Sequence, residues 1–108
     1  MKVYEYKVKL VLKCDIHYEQ LVNVLNYFID SALTKDEKLK EYHNAHHYKG
    51  YVHDFLYPIE KDGIYKKNHH YTMRIRSVEQ DLIQYFLSRL SFYETNEIEA
   101  LGGEVRII

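Results

Sequence analysis

The amino-acid sequence predicts one α+β domain, in which a four-stranded antiparallel sheet carries two helices on one face. Three observations predict it. Apolar and polar residues alternate along several separate stretches, the pattern of strands buried on one side. Two other stretches repeat apolar residues at helical spacing, the stripe of an amphipathic helix. Capping and turn residues stand at the junctions. In chain order the elements run β-α-β-β-α-β.

The first strand occupies residues 2–14, with Tyr4, Tyr6, Val8, Leu10, Leu12 and Cys14 on one face and Glu5, Lys7, Lys9 and Lys13 on the other. Asp15 is placed to cap the helix that follows, whose inward face is Leu21, Val24, Leu25, Phe28, Ile29 and Ala32. Thr34-Lys35-Asp36-Glu37 has the form of a capping box and predicts a second, shorter helix from Lys35 to near His43, carrying Leu39 and Tyr42 inward. Residues 44–50 have no period and read as a loop. Alternation resumes with Tyr51, His53, Phe55 and Tyr57 against Val52, Asp54 and Leu56. Pro58 ends this strand, because it has no N–H to give to a ladder. Asp62-Gly63 marks a turn, residues 64–66 read as extended, and Asn68 marks a second reversal. In the next strand, residues 70–76, Tyr71, Met73 and Ile75 oppose Thr72, Arg74 and Arg76. Ser77-Val78-Glu79-Gln80 is a capping box for a helix with the apolar face Val78, Leu82, Ile83, Phe86, Leu87 and Leu90. Residues 93–97 form a polar connection, and Gly102-Gly103 predicts a kink or bulge beside a last strand holding Val105 and Ile107.

This order is that of a split βαβ pair, the ferredoxin-like (βαββαβ) domain, with right-handed crossovers through the helices. The sheet face without helices is then open, and folds of this type use that face or its rim for single-stranded RNA.

Composition narrows the function classes. A chain of 108 residues suits one domain. The single cysteine, Cys14, excludes a disulfide framework and a Cys-rich zinc site, and fits a reducing cytoplasm. The first residues, Met1 to Tyr6, carry charges too closely spaced for a signal peptide. No apolar run approaches the roughly 20 residues of a membrane span, so the expectation is a cytoplasmic protein with no membrane partner. A net charge of −1 excludes a uniformly basic nucleic-acid binder; any such surface must be a local patch.

Candidate chemistry concentrates between Tyr42 and Pro58, which hold four of the seven histidines and four of the twelve tyrosines. Lys49-Gly50-Tyr51-Val52-His53-Asp54-Phe55 imitates the Lys/Arg-Gly-aromatic motif of RNA-recognition modules. It falls on the second strand, however, where that motif belongs on the third. A metal site from His43, His46, His47, His53, His69 and His70 lacks a Cys pair, a His-Glu-x-x-His run and neighbouring carboxylates, so no metal or cofactor is expected. The third reading is metal-independent RNA cleavage. RNA carries its own nucleophile, the 2′-hydroxyl; the protein must supply a base, an acid and a cation near the phosphate. Histidine suits either proton task. His43, Lys49 and Tyr27 supply the set. The plainer reading, in which Tyr27 fills the core edge and Lys49 is solvated, is the one that residue types alone favour.

The chain also resembles the amino-terminal half of the CRISPR repeat-RNA-processing endoribonucleases of the RAMP superfamily. Those enzymes begin with a strand and helix like Val3 to Ala32. A loop with a catalytic histidine follows, then a lysine six residues on, then a Phe/Tyr-rich strand: here His43, Lys49 and Tyr51 to Pro58. Ile59 to Lys67 and Tyr71 to Ser77 are similar to members from clostridial-type systems. The resemblance covers essentially the whole chain. It implies a catalytic set of His43, Lys49 and Tyr27, with His46 or His47 as alternative bases, and products ending in a 2′,3′-cyclic phosphate and a 5′-hydroxyl. Lys66, Lys67, Arg74 and Arg76 are the candidate RNA-binding residues. The family has two ferredoxin-like domains and a carboxyl-terminal glycine-rich loop; this chain carries one domain, and Gly102-Gly103 is too short and too early for that loop. Whether the chain is an enzyme therefore stays open. The implied partners are CRISPR repeat RNA, bound or cleaved, or CRISPR effector subunits among which an inactive mimic replaces the processing subunit, an anti-CRISPR role. A homodimer replacing the absent domain is a further alternative.

Overall fold

The computed structural model describes residues 1–34 and 50–108. The short helix expected from Lys35 to near His43, and most of the loop after it, lie outside the described residues. The elements are β1 (Tyr4–Leu12), β2 (Ile16–His17), α1 (Tyr18–Thr34), β3 (Val52–His53), β4 (Ile64–Tyr65), β5 (His70–Ser77), α2 (Gln80–Leu90) and β6 (Ile98–Ile107). The main sheet has the order β3-β5-β1-β6, and every neighbouring pair is antiparallel. β2 and β4 form a separate two-stranded sheet, so residues 64–65 do not extend the main one.

Burial follows the alternation of the two long central strands. Tyr6, Val8, Leu10 and Leu12 of β1 and Met73 and Ile75 of β5 have no exposed surface. Each such side chain contributes roughly 1.5–3 kcal/mol by leaving water. They share one core with Leu21, Leu25, Phe28, Ile29, Ala32 and Leu33 of α1 and Leu82, Ile83, Phe86 and Leu90 of α2. Both helices therefore lie on the same sheet face. Tyr6 crosses this core. Ser91 Oγ donates to the Leu87 carbonyl, so the Tyr6 hydroxyl donates to Ser91 Oγ at 2.9 Å. Burial pushes the Tyr6 phenol up to about 12.

Both helix starts depart from the expected caps, because distant groups compete for the capping side chains. Asp15 Oδ1 accepts from the Lys67 N–H at 2.7 Å. α1 starts only at Tyr18, where His17 Nδ1 takes the Glu19 N–H at 3.3 Å. Ser77 stays in β5; its hydroxyl donates to the Gly50 carbonyl at 2.6 Å and accepts from the Glu79 N–H at 3.0 Å. α2 starts at Gln80, with Glu79 at the N-cap position but its side chain not bonded to the helix's first N–H groups, and Val78 is left exposed.

The strand expected from Tyr51 to Tyr57 is broken. His53 pairs with Ile75 and Tyr57 bridges Thr72, so four steps on this side span three on β5. The extra residue reverses the alternation: Leu56 is buried and Phe55 exposed, against expectation. Asp54 stands at the break and ties it down, its side chain accepting from the Arg74 backbone N–H at 2.8 Å and from Arg74 Nε at 2.7 Å.

The bulge expected in β6 is present. Val8 pairs with Gly103 and Leu10 with Ala100, so β6 carries an extra residue. A Cβ on Gly103 would lie 2.4 Å from Tyr6 Cε1, and Gly102 has φ +120°. β6 starts at Ile98, earlier than its apolar residues Val105 and Ile107 suggest.

Candidate functional site

The sheet face opposite the helices presents ordered rows of charge. β1 pairs Glu5 with Arg76 on one side and with Arg106 on the other. Arg76 Nε donates to Glu5 Oε2 at 2.8 Å, and Arg106 Nε donates to Oε1 at 2.7 Å. Under these two guanidinium groups Glu5 has no exposed surface. Burial alone would raise its carboxyl, but the hydrogen bonds and charges of Arg76 and Arg106 outweigh it and hold the carboxyl below the usual range. In the next row Lys7 lies between Arg74 and Glu104. Hydrogen bonding and charge from Asp54 raise the Arg74 guanidinium, which stacks 5.1 Å above the centre of the Tyr57 ring.

Each of these three arginines spends Nε on a carboxylate. Among the described residues no hydrogen bond engages their terminal amino groups, which leaves up to four donors on each. Arg74 and Arg106, but not Arg76, line a shallow groove of about 270 Å³ together with Glu5, Lys7, Tyr57, Thr72 and Glu104. A neighbouring recess of about 250 Å³ adds Lys9 and the Gly102-Gly103 bulge. Carboxylates that hold guanidinium forks in fixed orientation, with the fork ends free, suit the recognition of a phosphate oxygen. An exposed aromatic ring beside them suits the stacking of a base.

The four expected RNA-binding cations divide into two places. Arg74 and Arg76 belong to the face just described. Lys66 and Lys67 precede β5, about 20 Å along that strand from Arg76. Lys66 Nζ is held by the Asp62 carboxylate at 2.8 and 3.0 Å, a bond that raises its pKa and lowers that of Asp62. Lys67 is exposed.

Of the proposed catalytic set, Tyr27 sits on α1 with 60% of its surface exposed, so it does not fill the core edge. His43, Lys49, His46 and His47 lie outside the described residues. Next to Tyr27, Asn26 bonds His53 Nε2 at 2.9 Å, while His53 Nδ1 donates to the Asp54 carbonyl at 3.0 Å. One turn on, Asp30 accepts from the Tyr51 hydroxyl at 3.3 Å. Burial, then the Asp30 charge, raises that phenol. These bonds fasten β3 to α1. Among the described residues no three histidine, cysteine or carboxylate side chains gather as a metal site would require, and no helix is long and apolar enough to cross a membrane.

Sequence reasoning missed Arg106, Lys7 and the role of Glu5. The signal was present in part: in a strand anchored by Val105 and Ile107, Arg106 must face away from the core. That three charges align across three strands needs the register. Compared with protein-family models, with curated proteins and with solved structures, the chain matches none.

Proposed function

We propose that the chain is a ferredoxin-like domain that binds RNA on the open face of its sheet, as folds of this type do; the resemblance to CRISPR repeat-RNA-processing endoribonucleases makes CRISPR repeat RNA the ligand. The fold reading is supported by the main-sheet strands: counted along the chain, the first and third lie in the middle and the second and fourth at the edges. One helix precedes the second strand and the other precedes the fourth, as in a split βαβ pair. The observation that carries the binding reading is the Arg76–Glu5–Arg106 row beside Arg74 and Tyr57; the terminal amino groups of these arginines take no hydrogen bond among the described residues and can turn to phosphate.

The test is fluorescence anisotropy with labelled repeat RNA in EDTA. Arg76→Ala and Arg106→Ala should each weaken binding by roughly tenfold, the value of one charge-assisted phosphate contact. Lys66→Ala should leave affinity within about twofold, because that lysine is already paired. Equal losses at all three positions would count against the face. Cleavage is read on the same RNA by gel: a product ending in a 2′,3′-cyclic phosphate that disappears in His43→Ala supports the nuclease. Uncut RNA with intact binding supports a binding domain without catalysis.

A further inference from the structure

The sheet ends on one side at β6, beyond β1. The first residues of that outer edge are covered from within the chain: the Thr95 N–H donates to the Ile98 carbonyl at 2.8 Å, and the Ala100 N–H to the Tyr93 carbonyl at 2.9 Å. Past Ala100, none of the described residues pairs with it. The direction of the free backbone groups follows from one bond. The Ile108 N–H donates to the Val3 carbonyl, and from Tyr4–Ile107 to Val8–Gly103 the register is unbroken. In such an antiparallel ladder Ile108, Arg106 and Glu104 turn their backbone groups to β1, while Ile107, Val105 and Gly103 turn theirs outward. The side chains alternate the other way: Glu104 and Arg106 stand on the open face, Val105 and Ile107 on the helix-bearing face.

We propose that this edge pairs with the same edge of a second copy, antiparallel, about a two-fold axis through Val105. The backbone permits any register that differs by two residues; the side chains select one. With Val105 opposite itself, Glu104 faces Arg106 of the partner subunit, twice over. Sliding by two residues sets Glu104 against its own copy or Arg106 against its own copy, and both are repulsive. Sliding by one puts charge on the apolar face. Arg106 can serve the contact and Glu5 together, since Glu5 takes only Nε. Ile107, which is 58% exposed in the single chain, comes to lie at this seam opposite Gly103 of the partner subunit. The contact is self-complementary and closes as a dimer. It joins the two open faces into one surface, but it does not depend on RNA binding.

Light scattering after size exclusion tests this. The expected result is a mass that rises with concentration towards twice 13.1 kDa. Glu104→Lys, at an exposed site that leaves the core untouched, should weaken association roughly tenfold by making both charge pairs repulsive. In a Cys14→Ser background, Val105→Cys should cross-link to its own copy and Leu101→Cys should not. Three results would overturn the proposal: a monomeric mass at every concentration, including a monomer that takes up an added extended peptide on this edge; a dimer indifferent to Glu104→Lys; or equal cross-linking from both positions.

Discussion

Glu5 is a carboxylate placed where strand alternation ordinarily leaves a solvated charge, and two arginines close over it. Its folded pKa lies below the ordinary value, so the stability it contributes is complete above about pH 5 and is lost as the pH falls through the lower, folded value. Replacing Glu5 with Gln removes two charge-assisted bonds and sets two guanidinium groups facing each other. The expected cost at neutral pH is about 2 kcal/mol. Denaturant unfolding of both chains across the acid range should show the gap narrowing as the pH is lowered; a constant gap would mean that Glu5 acts by shape alone. Tyr6 works in the opposite direction. With its phenol pushed up to about 12, its contribution is complete below about pH 10 and lost as the pH rises towards 12. Phenolate absorbance should show the Tyr6 share, taken as the difference from Tyr6→Phe, appearing only near that upper value.

At the scale of elements, the β6 bulge makes two neighbouring glycines unequal. Gly103 lies against the buried Tyr6 ring, where an added methyl meets Cε1, Cζ and the hydroxyl within 2.7 Å. Gly102 meets nothing, but its φ of +120° strains any residue that carries a side chain. Gly103→Ala and Gly102→Ala should each cost about 1–3 kcal/mol, for different reasons that a double-mutant cycle separates. Combined with Tyr6→Leu, the Gly103 change should become markedly cheaper, while the Gly102 change should simply add. Equal coupling at both positions would contradict the contact. Elements of this kind divide between legible and illegible. β1 and β5 could be read because each is a long strand with one buried face, so alternation alone sets it. The same alternation put Arg74 and Arg76 on the open side. β3 could not be read through to Tyr57, since its phase turns at Asp54, whose partner Arg74 lies 20 residues away. The caps were misread for the same reason: Ser77 and Asp15 look like helix starters until Gly50 and Lys67 claim them. Arg106 required knowing that three strands place it beside Glu5.

At the scale of the whole molecule, a net charge of −1 means that long-range attraction cannot gather RNA onto this chain. Any affinity must come from a few local phosphate contacts, and salt dependence counts them. Three arginine forks on one face correspond to about three neutralised phosphates, so log K against log salt should have a slope near −2 for single-stranded RNA. A steeper slope would require cations beyond this face. Arg106→Ala should make the slope shallower by about 0.7, with far-UV circular dichroism confirming that the sheet survives the loss of one partner of Glu5. Lys66→Ala should leave the slope unchanged, since Asp62 already holds that ammonium at 2.8 Å. Lys67 is the discriminating position, being exposed and set apart from the arginine row along β5. If Lys67→Ala shifts the slope and Arg106→Ala does not, the RNA lies over the turn before β5 and the groove beside Glu5 is only a structural ion-pair network.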